Sequence, residues 1–302
     1  MICNDTLRNH TLKSKLANIA CYPAPIRILA LLLVLLVCWL PIATPIALFT
    51  KDPNTVTLIT MPLLFVGFLL LIPRWGKWLY RNKRIFHTYG LTITRQAGME
   101  LLQGLAIGLL SLLLLFGMQG GLGWLIWQTP SPALFKVALE GLLVGLGTGF
   151  AEELVFRGWM FDELQRDYSD TAALWANSGL YAVLHFIKPL PEVIRTFPQF
   201  PGLLLLGLAL VWARRSTRRQ MRITGVLHQG RLGLPIGLHA GLIWGYYLVN
   251  VGQLARYSGQ VPEWLTGVDK NPLAGGIGLV FLVLLAAYMG WRSHFGSPKH
   301  SS

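Results

Sequence analysis

The sequence predicts an all-α integral membrane protein of about eight transmembrane helices, and three observations predict it. Of 302 residues, 53% are hydrophobic and only 13% charged, against about 25% charged in an average soluble domain. The mean hydropathy is +0.51. Apolar runs recur from Ile28 to Trp291 with no soluble block between them, at lengths near the roughly 20 residues that carry a helix across a bilayer core.

Eight runs approach that length: 28–49, 56–73, 101–122, 133–157, 171–187, 200–213, 234–251 and 273–291. Pro41 and Pro45 in the first predict a kink, which membrane helices tolerate when neighbours satisfy the freed carbonyls. The first run is too long for a signal-peptide core and lacks a small-residue cleavage site, so it reads as a retained span. The chain then divides into a cytoplasmic N-terminal segment, 1–27, a single polytopic membrane domain, 28–291, and a cytoplasmic tail, 292–302. The motifs described next fall in a core of about 133–251.

Placing the N-terminus inside puts twenty Lys and Arg residues on that side and five on the other, with Lys136 at a helix start. By the positive-inside bias both termini are cytoplasmic, in a plasma or inner membrane. The same clustering beside apolar runs accounts for the net charge of +13 without nucleic acid as a partner. Trp75, Trp78, Trp124, Trp127, Trp264 and Trp291 lie near predicted span ends, as interfacial anchors do. Cys3, Cys21 and Cys38 show neither CxxC pairing nor Cys/His zinc spacing and read as reduced thiols.

The stretch Thr148 to Asp162, TGFAEELVFRGWMFD, sets two glutamates and an arginine at the end of an apolar run. Ionisable groups at membrane depth cost several kcal/mol unless paired or facing a cavity, so they point to function. On a helix Glu153 and Arg157 are i and i+4 and form an ion pair. Glu152 is turned about 100° away and keeps no such partner, which makes it the better general base. His185 and His239 lie within two further apolar runs, LYAVLHF and PIGLHAGLIWGYY. A glutamate and two histidines on three separate helices form a site only if the fold gathers them. Gathered, they activate water, stabilise an oxyanion or hold zinc.

These residues carry a resemblance to the CAAX-protease and bacteriocin-processing family of intramembrane proteases, also called CPBP or ABI. The family's two glutamates, three residues and an arginine are matched by Glu152, Glu153 and Arg157, followed by Gly158. Its Phe four residues before a His appears as Tyr181 and His185. Its His four residues before an Asn appears as His239, with Ile243 in the place of the Asn. The resemblance covers roughly Leu101 to Tyr247. It implies eight helices around a cytosol-facing intramembrane cavity, and hydrolysis of a peptide bond in a membrane-anchored, possibly prenylated CAAX-like substrate. Glu152 would activate the water, and His185 and His239 would orient it or polarise the carbonyl. Glu153 and Arg157 would support the site, with Asn177, Tyr181 or Trp244 as substitutes for the missing Asn. No cofactor is expected; zinc on Glu152, His185 and His239 is the less favoured case, since no HExxH fingerprint is present. Ile243 and Tyr181 leave a second reading, an inactive scaffold that binds partners on the same fold. A third, a proton-coupled transporter, lacks the inverted repeat such proteins show.

Depth poses one difficulty. At about 1.5 Å per residue, His185 lies roughly 20 Å from the cytoplasmic end of its span, deeper than Glu152 and His239. A fourth helix running past Arg157 as far as Gln165 reconciles them, and WMFDELQRDY alternates apolar and charged residues as such an extension requires.

Overall fold

A computed structural model describes residues 19–218 and 230–295. The chain is mainly helical. Among the described residues eight helices have 14 residues or more: α1 (Ala24–Phe49), α2 (Pro53–Tyr80), α3 (Arg95–Gly121), α4 (Leu134–Asp167), α5 (Asp170–Leu184), α6 (Leu190–Arg215), α7 (Gly233–Tyr246) and α8 (Gly276–Phe295). Each of the eight apolar runs falls on one of them. Six, α1 to α4, α6 and α8, are long and apolar enough to cross a membrane. The expected count of eight is met for six: α5 has 15 residues, short of the roughly 20 that a hydrocarbon core demands, and α7 has 14 α-helical residues continued by a π segment over Tyr247–Val251. Helix α1 carries Pro41 and Pro45 in its interior, as expected. The departure from an all-α fold is a two-stranded antiparallel pairing, β1 (Leu125–Trp127) with β2 (Ala255–Tyr257). Residues 1–18 of the N-terminal segment, 219–229 between α6 and α7, and 296–302 of the tail lie outside the described residues.

Contacts group the described residues into two units. The smaller holds residues 19–88 and 162–168. Its centre is ionic: the Arg27 guanidinium bonds Glu163 at 2.8 Å, and the Tyr80 hydroxyl donates to the same carboxylate at 2.5 Å. Both Arg27 and Glu163 are buried, so each charge is compensated where solvent does not reach it. Cys21, at the entry to this unit, is disulfide-bonded, which corrects the expectation of a reduced thiol there; Cys38 is a free, exposed cysteine. Cys3 lies outside the described residues.

The larger unit holds residues 89–161 and the described residues from 169 onward. Helix α7 is its axis. Glycines every fourth residue, Gly233, Gly237 and Gly241, line the face of α7 that meets α3, where a Cβ would run into the carbonyls of Ala97, Leu101 and Leu105. Gly104 and Gly108 of α3 answer them against Leu234 and Leu238. Without a hydrophobic force between helices in lipid, such small-residue stripes let backbones approach and gain dispersion contacts. The register rises in step on both helices, so α3 and α7 run parallel. On the other flank Gly145 and Gly149 of α4 stand so close that a Cβ would sit 2.7 Å from the Ala240 carbonyl and 2.9 Å from that of Ile236. That register falls on one helix as it rises on the other, so α4 and α7 are antiparallel. Glu153, one turn past Gly149, and His239, three residues past Ile236, flank this crossing from opposite sides, and their side chains meet across it at 2.9 Å.

Candidate active site

Helix α4 changes its winding where the motif lies. It is α-helical to Glu153, becomes a π-helix over Leu154–Met160, and resumes as α over Phe161–Asp167. The long fourth helix expected from the sequence is present and runs two residues past Gln165. A π segment widens the backbone and redirects its carbonyls, and it recurs at functional sites. Two of these carbonyls are met by buried polar side chains: Asn177 Nδ2 donates to Phe156 O at 2.8 Å, and Arg214 donates to Arg157 O.

Glu153 and Arg157 form the expected ion pair at 3.1 Å, and neither is exposed at all. Arg157 Nη2 also donates to the Gly207 carbonyl at 3.3 Å, and its guanidinium lies 4.2 Å from the Tyr181 ring centre. His239 Nδ1 bonds the same Glu153 Oε1 at 2.9 Å, so the supporting acid bridges the arginine and the histidine.

Glu152 faces the other way, as the helical period requires, into a pocket of about 340 Å³. Its Oε2 has no hydrogen-bond partner within the chain. The Nε2 atoms of His185 and His239 each stand 3.9 Å from that oxygen, beyond direct hydrogen-bonding range and within reach of one bridging water. His185 comes from the C-terminal end of α5, with its Nδ1 2.7 Å from the Tyr181 carbonyl. A carbonyl only accepts, so His185 carries its proton on Nδ1; the Glu153 carboxylate fixes the same tautomer on His239. Both imidazoles then present Nε2 towards Glu152. Tyr181 is buried, with its ring edge-on to His185 at 4.5 Å.

The structure thus brings Glu152, His185, His239 and Tyr181 to one pocket, with Ile243 in its wall. Asn177 and Trp244 are not among the lining residues. Asn177 serves the π segment, and Trp244 Nε1 donates to the Ala138 carbonyl at 2.9 Å, tying α7 to α4. Arg214 and the Glu153–His239 bond escaped sequence reasoning. An arginine closing the apolar run of α6 was the available signal for the first. Among the described residues no group of three or more His, Cys, Asp or Glu is arranged to hold a metal ion, and the steps below use only the chain's own side chains.

Residues 133–245 match the family model described as Type II CAAX prenyl endopeptidase Rce1-like. This segment is similar to that family. The Rce1-like segment contains α4, α5, α6 and nearly all of α7, hence every residue of the pocket's polar end. No curated protein and no solved structure matches the chain.

Proposed function

We propose that this chain is a multi-pass intramembrane endopeptidase in which Glu152 activates water to cleave a peptide bond of a membrane-anchored substrate. The supporting observation is the pocket's polar end, a carboxylate oxygen facing two imidazole Nε2 atoms at 3.9 Å each in a pocket whose wall is otherwise largely apolar. In this reading the membrane domain spans 28–291 with eight helices, α5 and α7 being short spans held within the bundle, and both termini lie on the basic, cytoplasmic side.

Water held by Glu152 and His185 gives a proton to Glu152 while its oxygen attacks the carbonyl carbon. His239 takes up a proton on Nε2 between the Glu152 and Glu153 carboxylates, donates a hydrogen bond from it to the developing oxyanion, and keeps that proton when the intermediate collapses. Preorganised donors of this kind contribute about 3–4 kcal/mol to acyl transfer. Collapse of the intermediate returns the proton from Glu152 to the leaving nitrogen, so the carboxylate is regenerated. Glu153 accepts from His239 Nδ1 and fixes the ring's orientation, and Arg157 balances Glu153. The family description brings a prenylated CAAX-like tail as one substrate class.

The test is reconstitution with a panel of membrane-anchored peptides. The expected result is cleavage by the natural chain and none by Glu152→Ala; cleavage that survives the substitution overturns the mechanism. Ile243 is the observation that favours an inactive scaffold. Full biological activity of Glu152→Ala, His185→Ala and His239→Ala variants would support that reading.

A further inference from the structure

Thr148 lies one helical turn before Glu152 on α4, so the two side chains share a face, and both line the pocket. Helices α4 and α7 are antiparallel. Passing from Glu152 to Thr148 therefore runs the same way as passing from His239 to Ile243, which lines the pocket too. A hydroxyl thus stands at the first turn beyond the polar end, on a wall that also carries Leu112, Leu206 and Leu242.

A hydroxyl inside a helix commonly donates to the carbonyl four residues back, and several here do so. Thr57, Thr60, Ser111 and Thr196 donate to the carbonyls of Pro53, Val56, Ile107 and Glu192 at 2.7–2.9 Å. Thr148 does not: among the described residues its Oγ1 has no hydrogen-bond partner. Ser111 lines the same pocket, but its proton is committed to Ile107. A hydroxyl left unpaired beside an apolar wall is unfavourable, and one free both to donate and to accept suits a peptide group.

A peptide lying in this pocket brings amide groups that have lost their water and need partners. Glu152, His185 and His239 are taken up by the scissile bond itself. One helical turn rises about 5.4 Å and an extended chain about 3.3 Å per residue, so Thr148 stands one to two residues along from the bond held at Glu152. We propose that Thr148 is a substrate-binding residue, whose hydroxyl hydrogen-bonds the backbone of the bound peptide one to two residues from the scissile bond and keeps that bond in register with Glu152. A backbone contact reads no side chain, so it fixes which bond is cut without demanding a particular residue beside it. Cleavage at that position rests on the endopeptidase reading; the backbone contact itself requires only a bound peptide.

The probe is a fluorescein-labelled, farnesylated peptide with a CAAX-like tail, bound to the full chain in phosphatidylcholine vesicles. In a set of such peptides each amide flanking the scissile bond is replaced in turn by an ester, which removes the N–H and weakens the carbonyl as an acceptor. Kd and kcat/KM are measured for the natural chain, for Thr148→Val, which exchanges the hydroxyl for a methyl, and for Thr148→Ser, which keeps it. Thr148→Val is expected to weaken binding of the all-amide peptide and to lower kcat/KM by about 3- to 10-fold each, the scale of one neutral hydrogen bond, and Thr148→Ser to restore most of both. The ester one or two residues from the scissile bond is expected to cost the natural chain a similar factor and Thr148→Val nothing further. Such non-additivity marks a direct contact, which a merely structural role for Thr148 would not produce. Additive losses at every ester position, a Thr148→Val variant indistinguishable from the natural chain, or failure of the peptide to bind overturns the inference. Non-additive binding without any cleavage would sink the protease reading alone. Cleavage abolished by Glu152→Ala, with additive losses at every ester, would sink the Thr148 contact alone.

Discussion

Replacing Arg157 by leucine removes the guanidinium that pairs with Glu153. The guanidinium is fully buried, pairs with Glu153 at 3.1 Å, donates to Gly207 O at 3.3 Å and lies over the Tyr181 ring at 4.2 Å. Losing one partner of a buried pair leaves the other charge uncompensated, at a cost of about 3–5 kcal/mol. Removing both charges is different, because an apolar pair of similar volume restores packing and eliminates the stranded carboxylate. Arg157→Leu is therefore expected to lose about 3–5 kcal/mol of stability, and Arg157→Leu/Glu153→Leu is expected to recover most of it. Detergent-titrated unfolding of the purified variants in mixed micelles measures both. A single variant within about 1 kcal/mol of the natural chain, the range of an exposed ion pair, would refute the burial and the pairing. So would a double variant as unstable as the sum of its parts.

Three further outcomes follow from the same geometry. Gly237→Ala puts a Cβ against the Leu101 carbonyl and is expected to cost about 1–3 kcal/mol, as overpacking does, with loss of activity as His239 shifts; unchanged unfolding and turnover would contradict the α3–α7 packing. Ile243→Asn adds an amide to the wall beside His239 and is expected to raise kcat by up to roughly 10²-fold, the scale of one oxyanion donor; kinetics with a fixed peptide check it, and an unchanged or lower kcat counts against a missing donor. Activity is expected to survive dialysis against a chelator, and a dose-dependent loss restored by zinc would place a metal on Glu152, His185 and His239.

Much of the helical plan was legible because an apolar run near 20 residues has few alternatives to a helix in lipid. Each of the eight runs coincides with a helix. The shortness of α5 was not visible, since the run 171–187 includes chain that leaves the helix at His185; nor was the change of winding at the end of α7, a π segment over Tyr247–Val251. That Glu153 pairs with Arg157 while Glu152 faces the pocket followed from the helical period alone. The hydrogen bond from His239 to Glu153 did not, because contacts between helices depend on packing register. That register had a signal that went unread: Gly233, Gly237 and Gly241 at every fourth position of α7, with Gly104 and Gly108 on α3 and Gly145 and Gly149 on α4. Such spacing marks the closest helix pairs in a membrane. Asn177, suggested as a substitute donor, is bound to the π segment, a local winding that residue types do not announce.

The most direct measurement is single-turnover cleavage of a membrane-anchored peptide by the reconstituted chain and by Glu152→Gln, which keeps the side chain's size and removes its basicity. Comparable binding of the peptide with no detectable cleavage by Glu152→Gln is the predicted result. Cleavage at the natural rate by Glu152→Gln would contradict the assignment of Glu152 as the base.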